Sequence, residues 1–340
     1  MEYFAYQWHI TDQCDQRCRH CYIFSEGNHL KLAEVSENDA DKVIENCREM
    51  CRRMNRIPYF YITGGDPLLH PRFWHIIDRL QQYEIGFSIL GNPFHLTEDT
   101  CIRLKDAGCE RYQLSIDGNK KTHDAIRKEG SYDTTIDKLR LLRKSGIRSI
   151  IMTTVSGSNI NQIEDIIDTV VANKVDIFSF ARYCPTSLNK STHIEPLEYR
   201  RFLDKIWNKF IQYKDCGTSF NLKDHLWKLY LYEKGIFKIP DNAEKDLIYD
   251  GCNCSNCHLT ILPKGEIMAC RRFESVVGNA LNESLYSIYN GNEMNQYRHY
   301  EQFEKCGKCE LLRFCRGCPA VAYGYTHNFY ASDPQCWKEI

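Results

Sequence analysis

Three cysteines, Cys14, Cys18 and Cys21, fall within eight positions of the stretch QCDQRCRHCYIF, residues 13–24. Spaced as CxxxCxxC, they let one short loop present three thiolates to a cubane iron-sulfur cluster, which has a fourth corner to spare. The iron left without a protein ligand is open to chelation by a substrate or cofactor. The alternative at this spacing is a zinc loop completed by His20 or by a distant residue.

The chain carries 18 cysteines in 340 residues. Its amino terminus, MEYFAYQWHITDQC, lacks a basic segment followed by an apolar one, and no run approaches the ~18 apolar residues of a membrane span. A cytoplasmic protein with no membrane association is expected. In that reducing compartment so many thiols point to metal rather than to a disulfide framework. Lys and Arg number 44 against 45 Asp and Glu, which leaves no electrostatic footprint for nucleic acid.

From about residue 4 to 183, β-rich runs alternate with amphipathic segments. The runs FAYQWHIT, PYFYIT, EIGFSIL, ERYQLSID, RSIIMTTV and VDIFSFARY make six βα-type units. In TTIDKLRLLRKSG, Ile136, Leu139, Leu141 and Leu142 recur at helical spacing and Gly146 stands where a C-terminal cap belongs. Such alternation predicts an α/β fold, a parallel sheet with helices outside and chemistry at the carboxyl ends of the strands. Cys14 follows the first predicted strand. Residues 195–248 read as helical, then irregular, and carry no assignable chemistry. Beyond residue 250 the composition changes: nine of the 18 cysteines lie between Cys252 and Cys336.

CxxxCxxC after the first strand of a six-unit βα chain resembles the radical S-adenosylmethionine (radical SAM) superfamily. The resemblance implies a partial (β/α)6 TIM-type barrel and cleavage of S-adenosylmethionine at the open iron to methionine and a 5'-deoxyadenosyl radical. It places cofactor contacts at Gly64, Gly65 and Asp66 in YITGGDPLLHP, where relatives usually carry Glu in place of Asp66. It places others at Ser115 in LSIDG and at Arg127, whose planar fork suits a carboxylate. His20 takes the place of an aromatic residue that packs on adenine. Asn92 is a weaker candidate, and Asp117 and Arg127, taken singly a turn residue and a solvated helix charge, become site residues in register with Cys14, Cys18 and Cys21.

The carboxyl-terminal blocks CNCSNCHLTILPKGEIMAC, CGKCELLRFCRGC and PQC resemble the SPASM extension of that superfamily, which binds two auxiliary 4Fe-4S clusters. By the family's ligand order, Cys306, Cys309, Cys315 and Cys336 would hold one cluster. Cys252, Cys270 and Cys318, with Cys254 or Cys257, would hold the other. Two residues separate Cys315 from Cys318 where three are usual. Paired zinc ribbons are the alternative. Three 4Fe-4S clusters in all are implied, with a barrel over 1–215, a bridge over 216–249 and SPASM over 250–340. Cys47, Cys51, Cys101, Cys109, Cys184 and Cys216 read as small buried hydrophobes.

The resemblance implies a peptide or protein substrate modified by oxidative cross-linking, such as a thioether, with a flavodoxin- or ferredoxin-type reductant. The alternatives are a small-molecule enzyme, for example one acting on a tetrapyrrole, and a formylglycine-forming or epimerising maturase. Sulfatase-maturing relatives carry an acidic base after the position of Cys270, where Arg271 stands here. With Cys14 so near the start, no room is expected for a leader-binding domain.

Overall fold

A computed structural model describes residues 2–24, 32–185, 192–244 and 247–340. Six strands run parallel in sequence order: β1 Tyr3–His9, β2 Ile57–Thr63, β3 Gly86–Leu90, β4 Cys109–Ser115, β5 Arg148–Val155 and β6 Ile177–Arg182. They correspond to the six runs read from the sequence. Between them lie α1 Glu37–Met54, α2 Phe73–Gln82, α3 Glu98–Asp106, α4 Lys120–Ile126, α5 Ser131–Lys144 and α6 Ile163–Ala172.

The period-2 pattern of β1 accounts for one face of the sheet. Phe4, Tyr6 and Trp8 are buried, and the Tyr6 hydroxyl donates to the Cys47 carbonyl of α1 at 3.2 Å. Helix α1 begins where Ser36 Oγ accepts from the Asp39 amide and ends at Asn55 in the left-handed region. Cys47, Cys51, Cys101 and Cys109 fill this core as small hydrophobes, as expected. Cys216 differs and is exposed.

The segment read as an unassigned bridge is structured. After α7 Pro196–Gln212, strand β7 Ser219–Asn221 pairs parallel to β6, and α8 Leu226–Glu233 follows. The carboxyl-terminal part joins the same sheet from the other side. Strand β8 His258–Ile261 pairs parallel to β1, with Ala5 opposite His258, and β9 Glu266–Met268 and β10 Val276–Asn279 continue antiparallel. Beyond them lie α9 Leu285–Asn290, α10 Asn292–Asn295 and α11 Pro319–Thr326. The resulting order is β10-β9-β8-β1-β2-β3-β4-β5-β6-β7, a ten-stranded sheet whose two ends do not pair among the described residues. It is an α/β, mostly parallel, partial-barrel sheet. Cys14, Gly64, Asn92, Asp117 and Cys184 all follow the carboxyl ends of its strands, so the topology gathers them at one mouth.

Candidate active site

The loop after β1 is held by the turn after β2. The Gly65 amide donates to the Thr11 carbonyl at 2.8 Å and the Asp66 amide to the Gln13 carbonyl at 2.7 Å. A Cβ at Gly64 would collide with Thr11 O, and one at Gly65 with Gln13 O. Both glycines are therefore required by backbone pressed on backbone directly before Cys14. That close approach is a second reason for glycine, beside the cofactor contacts that the resemblance implies there.

Asp66 is fully buried. One carboxylate oxygen accepts from the Leu68 amide at 3.3 Å, while Oδ2 has no partner among the described residues. Burial pushes its carboxyl up to about 6. Ligand atoms of Asp15, Asp66 and His95 lie within 4.8 Å of one another, so this corner presents an orphaned acceptor to a small cationic group. Asn92 Nδ2 lies 3.4 Å from Cys14 Sγ and 3.3 Å from Asp15 Oδ1.

On the opposite side, Asp117 is the hub. It is fully buried, accepting from Arg127 Nε at 2.6 Å and from the Thr154 amide at 2.8 Å. Its own amide donates to His123 Nδ1 at 3.2 Å, and Asn159 Nδ2 donates to its carbonyl at 2.9 Å. Although its burial raises the carboxyl, Arg127 and His20 outweigh it and hold Asp117 below the usual range. Arg127 Nη1 reaches to 3.7 Å from Cys18 Sγ. Burial pushes the Cys18 thiol up to about 11, opposed by that guanidinium. His20 Nε2 stands 3.7 Å from Asp117 Oδ2, and burial lowers its pKa. Ser115, the last residue of β4, is half-buried. The cysteine loop is tied to this side at Gln16, whose amide group donates to Ser131 Oγ at 2.6 Å, and at Arg19, whose amide donates to the Ile126 carbonyl at 2.8 Å.

The carboxyl-terminal thiols form two groups. Cys252, Cys254, Cys270 and Cys318 line one cavity of about 150 Å³, and Cys257 is not among its lining residues. Cys184, expected to be an isolated core residue, lies near enough to Cys318 to perturb it, and Arg272 Nη1 lies 3.7 Å from its sulfur. Its place after β6 was the available signal. The Cys184 contact lowers Cys318, while burial pushes Cys270 up to about 12. Cys306, Cys309, Cys315 and Cys336 form the second group, close enough to perturb one another. All 18 cysteines are free thiols. Four sulfurs around one zinc at 2.3 Å stand about 3.8 Å apart. No three cysteine sulfurs among the described residues come within 4.8 Å of one another, so the groups are too open for a single ion and fit a multi-iron cluster.

Comparison with known proteins matches residues 8–170 to the radical SAM superfamily and residues 252–319 to SPASM, an iron-sulfur cluster-binding domain. The chain belongs to the radical SAM superfamily. It is a radical SAM enzyme whose cofactors are S-adenosylmethionine and 4Fe-4S clusters, with SPASM at the carboxyl end. It is 25% identical to an AdoMet-dependent heme synthase of Nitratidesulfovibrio vulgaris over 97% of this chain and 90% of that protein. Mycofactocin maturase MftC of Mycobacterium tuberculosis is 25% identical over 46% of this chain and 39% of its own length. Streptococcus suis SuiB, solved bound to precursor peptide SuiA, has the same fold, with a TM-score of 0.76 at 17% identity, covering 99% of this chain and 75% of that one. Against the radical SAM frame, Arg271 is no substitute for an acidic base: its guanidinium lies 4.9 Å over the Tyr22 ring and its buried Nε is unpartnered. No helix among the described residues is long and apolar enough to cross a membrane.

Proposed function

We propose that this radical SAM enzyme modifies a peptide or protein by oxidative cross-linking, a thioether being the leading bond type. The carrying observation is the pairing of one three-thiol loop at the barrel mouth with two further thiol groups in the carboxyl-terminal part that joins the same sheet. When bound, S-adenosylmethionine and its cluster supply a 5'-deoxyadenosyl radical that removes a hydrogen atom from substrate. Cys14, Cys18 and Cys21 hold that cluster. Asp66 Oδ2, orphaned and buried, receives the methionyl ammonium, and Gly64 and Gly65 keep the approach open. Arg127, held by Asp117, presents its remaining N–H groups toward the cofactor carboxylate. Ser115 contacts the ribose, and His20 packs on adenine.

Cys252, Cys254, Cys270 and Cys318 hold one auxiliary 4Fe-4S cluster, and Cys306, Cys309, Cys315 and Cys336 the other. Functionally, residues 1–215 serve as the barrel, 216–249 as the bridge and 250–340 as the SPASM domain, although one sheet runs through all three. A flavodoxin- or ferredoxin-type protein delivers the electron that starts turnover. The likeness to SuiB and MftC, a peptide-bound enzyme and a maturase, supports the peptide reading.

A second reading is favoured by the heme synthase likeness, because it alone of the two sequence relatives spans nearly the whole chain. Mass spectrometry separates the two. A cognate cysteine-containing peptide two mass units lighter and resistant to thiol alkylation supports cross-linking, whereas turnover of a tetrapyrrole with no peptide turned over replaces it. Unchanged peptide mass with solvent deuterium incorporated indicates epimerisation.

A further inference from the structure

The cavity shared by Cys252, Cys254, Cys270 and Cys318 is also lined by Lys223 and Arg272. Arg272 faces three thiols, Cys184, Cys318 and Cys270, and no carboxylate. Lys223 likewise has no carboxylate partner among the described residues; burial, with the charge of Arg272, lowers it to about 8, which leaves it mostly cationic at neutral pH. The carboxylates close by, Asp224 and Asp333, are both engaged by Arg182, at 2.9 and 2.6 Å. Arg182 and Asp224 line the cavity as an ion pair, which leaves Arg272 and Lys223 as its two cations without a carboxylate partner. The other thiol group has fewer unpaired cations: Asp333 acts on Cys306, Cys315 and Cys336, Lys305 acts on Cys336, and Lys338, which acts on Cys309, is paired with Glu310 at 3.0 Å.

We propose that Arg272 and Lys223 form a cationic wall that sets the cavity's iron-sulfur centre at a higher reduction potential than the Cys306 group's centre, making the cavity the first acceptor of the substrate's electron. The proposal rests on the ligand sets given above. Reduction by one electron adds a negative charge to a centre that four thiolates already make anionic. A fixed cation therefore stabilises the reduced state more than the oxidised one, strongly at the effective dielectric of about 20 found inside proteins. In a thioether-forming turnover the carbon radical and a substrate thiol form the C–S bond. The S–H bond breaks, its proton passes to water, and the surplus electron enters the centre beside Arg272 and Lys223.

The test uses the full chain, purified anaerobically, with Cys14, Cys18 and Cys21 changed to Ala so that only the two carboxyl-terminal centres remain. Potentiometric titration followed by EPR then reads two reduction waves. Arg272→Gln and Lys223→Met should each lower the higher wave by at least a tenfold change in the reduced-to-oxidised ratio, which is 59 mV for a one-electron couple, and leave the lower wave in place. Arg272→Lys, which keeps the charge, should leave both waves where they were. If Arg272→Gln loses iron, Lys223→Met and Arg272→Lys still decide the matter. A higher wave that does not respond to Lys223→Met, or a response in the lower wave instead, overturns the cationic wall alone. Absence of any reducible centre in the starting variant overturns the ligand sets as well.

Discussion

Arg127 donates to the fully buried carboxylate of Asp117 at 2.6 Å while its other arm reaches to 3.7 Å from Cys18 Sγ. One guanidinium therefore joins the hub at the end of β4 to the cysteine loop after β1. Removing it leaves a buried carboxylate uncompensated. Arg127→Ala should cost about 3–5 kcal/mol of stability, together with most of the affinity for S-adenosylmethionine. Denaturant unfolding and anaerobic calorimetry read the two effects; a stability change below about 1 kcal/mol would mean that the pair behaves as a surface contact.

Asp66 carries the pH dependence. Its carboxyl is raised to about 6, so the folded state prefers it protonated. The sign follows: its contribution to stability is fully present below the usual carboxylate range and is lost as pH rises through about 6. Binding of a cationic amine runs the other way, because only the ionised form attracts it. S-adenosylmethionine should bind about fourfold more weakly at pH 5.5 than at pH 7.5, and Asp66→Asn should flatten that dependence. An unchanged slope in the Asn variant would assign the titration to another group.

Gly65 tests the backbone clamp. Its Cβ would meet the Gln13 carbonyl, and neither partner is a flexible side chain that could yield. Gly65→Ala should displace the loop bearing Cys14, Cys18 and Cys21 and reduce bound iron from about twelve to about eight per chain. Iron analysis of anaerobically purified protein decides it, and full iron content with undiminished cofactor cleavage would refute the clamp.

Asp333 links the sheet to the second module. It accepts from Arg182 at 2.6 Å and from the Cys318 amide at 2.7 Å, so it fixes a cysteine as well as neutralising a buried cation. Asp333→Ala strands the buried guanidinium and should cost about 3–5 kcal/mol. Circular dichroism during denaturation measures the loss; a variant as stable as the parent would show that Asp224 alone suffices for Arg182.

What the sequence made legible was local. Alternating runs set the six parallel strands because each strand pairs with its neighbour in sequence, and thiol spacing within short loops exposed the three cysteine-rich blocks. The pairing of β8 with β1 was not legible, since Ala5 and His258 meet only once nearly the whole chain has folded. Cys184 was misread for the same reason: its neighbours, Cys318 and Arg272, lie on other elements. Asp117, a site residue by its register with the cysteine loop, takes its hub role from Arg127, Thr154 and Asn159. β7 was missed because three residues carry too little periodicity to read.

The choice between Cys254 and Cys257, open in the sequence, is proposed to fall on the thiol that lines the cavity. Cys254 is 8% exposed and lines the cavity with Cys252, Cys270 and Cys318. Cys257 leads into β8: its carbonyl accepts from the Ala5 amide at 3.0 Å, and it is not among the residues lining the cavity. Cys254→Ala should therefore lose one cluster, leaving about eight irons, while Cys257→Ala should keep about twelve. Both variants are compared by iron and sulfide analysis beside the parent. If the losses fall on Cys257→Ala instead, the ligand set of the cavity has to be redrawn around the residue at the strand rather than the one at the pocket.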